Sequence, residues 1–230
     1  MAVEMVKGVI ADVDGTLVDS NDAHASAWQE AFQEFGIQIK WEEIRCEIGK
    51  GADQLLPRFL TPEQISELGT KIHKRKKEIF KNKYFDQIRP LPGVIPLFER
   101  LHQDKKTIVL ATSSGGSEAQ HYIRLLGIDR WVRDVISGDD VARSKPHPDL
   151  FHLALDRFHW KPSDAVVLGD TPYDVAAAKE IGLPTIAVLT GGFSEETLRK
   201  AGADEIYPDL PALLKNYESS ILGVKNRSAA

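Results

Sequence analysis

The chain has 230 residues, 42% hydrophobic and 27% charged, which suffices for one large domain, or a domain with a sizeable insertion, whose core needs no disulfide or metal. A net charge of -5 argues against a general nucleic-acid binder, and the single cysteine, Cys46, excludes an intramolecular disulfide and any cysteine-based zinc site. Residues 1–7 lack the pattern of a secretory leader and no apolar run reaches the ~18 residues of a membrane span, so a reducing, cytoplasmic setting with no membrane partner is expected.

Residues 7–13 are short, rich in Val and Ile, and bounded by Gly15, as in a central strand buried on both faces. The strand stops on Asp12 and Asp14, whose side chains leave one face while the chain is extended. Two carboxylates so close repel, and a divalent cation with a taste for hard oxygen ligands would offset that. An Asp-Gly turn with a solubilising acid is the blander alternative. Beyond Ser20 the period turns helical through His24, Trp28, Ala31, Phe32 and Phe35, with Asn21 as the expected cap and Gly36 as the stop. Further helices are expected over 42–48, through Leu55 and Leu56, and from Pro62 to about residue 81, with no strand between 21 and 88. An all-helical insertion is therefore expected over 20–89, inside a core of 1–19 and 90–217, with 218–230 a loose tail.

From Pro92 onward helices and strands alternate, as parallel sheets with crossover helices require. Helices are expected over 94–103, 117–126, 149–158, 172–181, 194–201 and 210–216, with strands over 107–111, 132–137, 165–168 and 185–188. Three of these strand ends carry chemistry. Thr112-Ser113-Ser114-Gly115-Gly116 offers hydroxyls and helix amides to a phosphate, or an ordinary cap. Lys145 sits among prolines before a helix. Asp170 ends an apolar strand, and Thr171, Pro172 and Asp174 read equally well as a capping box or as part of a site.

These four pieces in this order resemble the haloacid dehalogenase superfamily of phosphatases and phosphomutases, and the resemblance covers nearly the whole chain. It implies a Rossmann-like parallel sheet of order 5-4-1-2-3, counting five strands along the chain, and a mobile helical cap. It implies Asp12 as nucleophile, Asp14 as general acid and base, Thr112 as a phosphate-binding hydroxyl and Lys145 as the charge-balancing lysine. It further implies Mg2+ held by Asp12, the carbonyl of Asp14 and Asp170, with Asp174 joining or supporting them. Thr16 and Ser113 are expected to contact substrate. Asp14 itself favours phosphoryl transfer, since the dehalogenases and phosphonate hydrolases lack that acid.

Four site acids against Mg2+ and Lys145 leave one negative charge, and a pair at ~4 Å is worth about 4 kcal/mol at an effective dielectric near 20. Asp14 is therefore expected to be protonated when substrate binds. More positive charge is expected from the insertion, whose residues 20–88 balance eleven basic against eleven acidic residues and so leave the net -5 to the rest. Lys50, between two glycines, and Lys76, in a basic helical run, are the candidates, each also explicable as solvated surface. His24 lies on the apolar stripe as a core histidine would, and also matches a histidine of the sugar-phosphate mutases. A P-loop is excluded, because Gly51 follows Lys50 where Ser or Thr is needed.

The expected activity is Mg2+-dependent hydrolysis of a small phosphomonoester, phosphoglycolate-like or sugar-phosphate-like, in a monomer or small homo-oligomer. A beta-phosphoglucomutase-like activity is the nearest alternative, although Gly169 precedes Asp170 where those mutases carry a second acid, and residues 49–53 lack their phosphate-gripping arginine. A catalytically silent binding protein on the same fold is the third.

Overall fold

The computed structural model describes residues 6–223. Residues 1–5, part of the segment read above as carrying no leader, and 224–230, the outer part of the expected tail, lie outside the described residues.

Six parallel strands form the main sheet: β1 (Gly8–Ala11), β4 (Thr107–Ala111), β5 (Val132–Ile136), β6 (Ala165–Gly169), β7 (Thr185–Val188) and β8 (Glu205–Tyr207), numbered around a small ribbon of β2 (Val18–Asp19) and β3 (Arg89–Pro90). Their order is β5-β4-β1-β6-β7-β8, which is the expected order read from the other edge plus one further strand. Side chains of an extended strand alternate between faces, and the central strands use both. Val9, Leu110, Val166 and Leu168 face one apolar layer, while Ile10, Val109 and Val167 face the other. The first layer is completed by α6 (Val94–Gln103), α7 (Gly116–Leu126) and α11 (Leu210–Lys215), the second by α8 (Asp149–Phe158) and α9 (Pro172–Glu180). A further helix, α10 (Glu195–Ala201), packs Leu198 against Val175 and Ala187. All strand carboxyl ends thus meet at one edge, where open α/β sheets gather their ligands.

Between β2 and β3 the regular elements among the described residues are helices: α1 (Asn21–Glu34), α2 (Trp41–Arg45), α3 (Ala52–Leu55), α4 (Pro62–Gln64) and α5 (Thr70–Ile79). A wider helical turn joins α4 to α5 and another continues α5 to Tyr84, so the expected long helix runs on three residues further and is less regular. Trp28, Phe32, Ile72 and Phe80 fill the interior of this layer, continuous with the core beneath. The antiparallel pair Val18 to Pro90 and Asp19 to Arg89 binds the two chain crossings side by side.

Two expectations are corrected here. Residues 218–223 are not loose: Ser220 and Leu222 are buried, and the Ile221 N–H donates to the Glu205 carboxylate at 3.0 Å, fastening the chain to β8. Asn21 is not the cap of α1. Ser20 holds that position without a capping bond, because its hydroxyl is used elsewhere.

Candidate active site

The end of β1 turns sharply at Gly15, whose φ of +78° suits glycine, and a Cβ there would lie 2.2 Å from both the Asn21 amide nitrogen and Asp170 Oδ2. This turn sends Asp12 and Asp14 into different surroundings. Asp12 accepts from Lys145 Nζ at 2.5 Å. The same ammonium lies 2.7 Å from Asp174 Oδ1 and donates to the Ala111 carbonyl at 2.9 Å. Burial opposes the charge on Lys145, but Asp12 and then Asp174 override it and hold the lysine above its ordinary pKa, so it stays an ammonium. Asp12, Asp170 and Asp174 each bring a carboxylate oxygen to within 4.8 Å of the others.

Asp170 is fully buried at the end of β6. Thr16 donates to its Oδ1 at 2.8 Å and Asn21 to its Oδ2 at 2.9 Å. Burial first, and Asp174 second, push its carboxyl up to about 7. Three buried acids facing one lysine are short of positive charge, and their all-oxygen donor set fits a hard divalent cation. Asp174 also closes the capping box of α9, accepting from the Thr171 amide at 3.1 Å and hydroxyl at 2.6 Å. It is structural and part of the cluster at once.

Asp14 is held separately. Ser20 donates to its Oδ1 at 2.6 Å and Ser114 to its Oδ2 at 2.8 Å, with Thr112 at 3.5 Å. His24 Nε2 lies 3.0 Å from Asp14 Oδ1 and 3.3 Å from Glu118 Oε1. Burial would raise this carboxyl, but His24 and then the hydroxyls outweigh it and hold Asp14 well below the ordinary range. Lys76, almost fully buried, reaches His24 Nδ1 at 2.8 Å and lies over the rings of Phe80 and Trp28. Its ammonium is the positive charge missing from the four-acid count, and Glu118 adds a negative one. In the unliganded chain these contacts favour the carboxylate form of Asp14.

A cavity of about 270 Å³ opens over Asp12 and Asp14, walled by Trp28, His73, Lys76, Lys77 and the loops around Gly49 and Ser113. The placements of the remaining expected residues are mixed. Thr112 and Ser113 line the cavity, but the Ser113 hydroxyl donates to the Gly49 carbonyl at 3.0 Å. Thr16 is turned away from it, onto Asp170, since its hydroxyl is wholly buried beneath the turn. Lys50 reaches the wall with its ammonium paired to Glu47 and seated over the Tyr173 ring, so it is no free phosphate grip. Sequence reasoning missed Ser20, Ser114 and Glu118 around Asp14, and Asn21 on Asp170. Ser114 stands within the Thr112-to-Gly116 hydroxyl run, there read toward phosphate rather than Asp14, and Ser20 and Asn21 lie a few positions past the first motif.

Residues 9–188 match the haloacid dehalogenase-like hydrolase family, and the chain belongs to it. Among its relatives, a phosphoglycolate phosphatase of Vibrio parahaemolyticus is 28% identical over 222 residues, covering 94% of this chain and 97% of that protein. The pyrophosphatase PpaX of Halalkalibacterium halodurans is 25% identical, covering 96% of this chain and 99% of its own. A hydrolase from Pseudomonas syringae superposes with a TM-score of 0.85 at 29% identity, covering 93% of this chain and 98% of that one. Among the described residues no helix is long and apolar enough to cross a membrane.

Proposed function

We propose that the chain is a Mg2+-dependent phosphatase that hydrolyses a small phosphomonoester through an aspartyl-phosphate. The observation that carries this reading is the division between two neighbouring acids: Asp12 on an ammonium beside two further carboxylates, Asp14 on hydroxyls and a histidine. Two carboxylates in contrasting environments are how one site separates a nucleophile from a proton carrier.

Asp12 attacks phosphorus as the bond to the leaving oxygen breaks, and that oxygen takes a proton from Asp14. His24, touching Asp14 and in turn touched by Lys76, is the route by which Asp14 acquires that proton. Asp14, again a carboxylate, then removes a proton from the water that attacks phosphorus, and Asp12 leaves as a carboxylate. Lys145 stays on Asp12 through both steps and balances charge on the phosphoryl oxygens. Asp12 and Asp170 with the Asp14 carbonyl, supported by Asp174, would hold Mg2+, which when bound would supply electrostatic stabilisation of the transferring group. Thr112 is the phosphate-binding hydroxyl.

The cavity volume and the relatives' names favour a small substrate, with phosphoglycolate, pyrophosphate and sugar phosphates first to be tried. A mutase is less well supported, because a Cβ at Gly169 would meet Asp174 Cγ at 2.6 Å, leaving no room for a second acid before Asp170. The test is phosphate release from a panel of these compounds and nucleotides, with Mg2+ and with EDTA, beside Asp12→Asn. Isomerisation of a sugar phosphate that requires a bisphosphate would reveal a mutase. No EDTA-sensitive release from any phosphoester would favour a binding protein.

A further inference from the structure

The loop that enters α3 fastens itself to the residue immediately before Lys145. Asp53 Oδ2 accepts the Ser144 backbone N–H at 2.9 Å and Asp53 Oδ1 accepts the Ser144 hydroxyl at 2.5 Å. The Gly51 N–H donates to the same hydroxyl at 2.8 Å. Ser144 is buried, while Asp53 stands at the cavity rim. Bonds from Ser144 outweigh the partial burial of Asp53 and hold its carboxyl below the ordinary value, so it acts as a charged acceptor. The fit leaves no slack, because a Cβ on Gly51 would come within 2.3 Å of Ser144 Oγ and 2.7 Å of Asp53 Oδ1.

We propose that Asp53 is a positioning residue: by gripping Ser144 it sets the backbone from which Lys145 reaches Asp12, so that the ammonium is in register only while the helical layer is seated on the sheet. The role given to Lys145 rests on the hydrolysis proposed above. Asp53 makes none of the site's charge contacts itself. It acts through one peptide, and a displacement of the order of 1 Å at a reacting group can cost about a hundredfold in rate.

The test combines kinetics with amide exchange on the full chain. Asp53→Ala and Ser144→Ala are each expected to lower kcat by about tenfold or more, as loss of a supporting partner does, with KM changed much less. The double variant is expected to be no slower than the worse single one, and Asp53→Asn, which keeps an acceptor for the Ser144 N–H, to recover part of the loss. Gly51→Ala, whose backbone φ of -75° any residue can adopt, should reproduce the defect by prising the loop away. Exchange at the amides of 143–145 should quicken in Asp53→Ala. Unchanged kcat, a loss confined to KM, additive losses or unchanged exchange would each overturn the proposal. If the unaltered chain released phosphate from no phosphomonoester, the hydrolysis would fall while the exchange arm still decided whether Asp53 holds Ser144 and its neighbour.

Discussion

The side-chain amide of Asn21 donates to Asp170 Oδ2 at 2.9 Å, tying the first residue of α1 to a carboxylate of the acid cluster 149 positions away. Thr16 occupies the other oxygen, so the orientation of Asp170 is fixed from both sides. Partners of this kind are typically worth about 10- to 100-fold in metal affinity. Asn21→Ala should therefore raise the Mg2+ concentration for half-maximal phosphate release by about that factor while leaving the rate at saturating Mg2+ much less affected. A Mg2+ titration of initial rates measures it.

Asp14 lies between its hydroxyl donors and His24, which is the largest of the influences lowering its pKa. Asp14→Asn should cost about 10²- to 10⁴-fold in kcat, the usual range for loss of a general acid and base. In His24→Ala the carboxyl loses that influence and its pKa rises. The basic limb of kcat/KM, set by loss of the proton that Asp14 gives to the leaving oxygen, should then move to higher pH, which a pH–rate profile reads directly.

Without metal, Asp170 carries a stability signature. Its carboxyl is raised from 3.8 to about 7 in the folded chain, so the native state binds the extra proton between those values. Stability must therefore fall as pH rises from about 4 to about 7, by at most on the order of 4 kcal/mol from this group. Asp14, lowered on folding, gives the opposite trend, but its contribution is complete above its unfolded value of 3.8. Thermal melts in EDTA should show the decline across this window, and saturating Mg2+ should reduce it.

Leu222 lies in the region expected to be a loose tail, yet only 1% of its surface is exposed and it belongs to the main apolar layer. Leu222→Ala should cost about 2–5 kcal/mol. Urea unfolding would show it as a lower midpoint at unchanged slope.

The central strands were legible because burial on both faces leaves a plain apolar record, as in Val166, Val167 and Leu168. Asp12 and Asp170 were legible because each ends such a run, and Lys145 because it stands beside prolines ahead of a helix. β8 was not, since Glu205–Tyr207 is a half-buried edge strand of three residues with no apolar run. Short side chains hid their partners: Asn21 carries a good capping signal but spends its amide on Asp170, and Ser20 spends its hydroxyl on Asp14. Lysines were ambiguous for a different reason. Lys50 and Lys76 were each readable as substrate charge or as solvated surface, and only packing decides that Lys76 is buried against His24 while Lys50 is paired with Glu47.

The central claim is that phosphate passes through Asp12. Acid quenching during turnover, followed by borohydride reduction and peptide mass spectrometry, reads this directly, because reduction of an aspartyl-phosphate yields homoserine. The account predicts homoserine at position 12, dependent on substrate and Mg2+ and absent from Asp12→Asn. Turnover without any such product at position 12, together with full activity of Asp12→Asn, would contradict it.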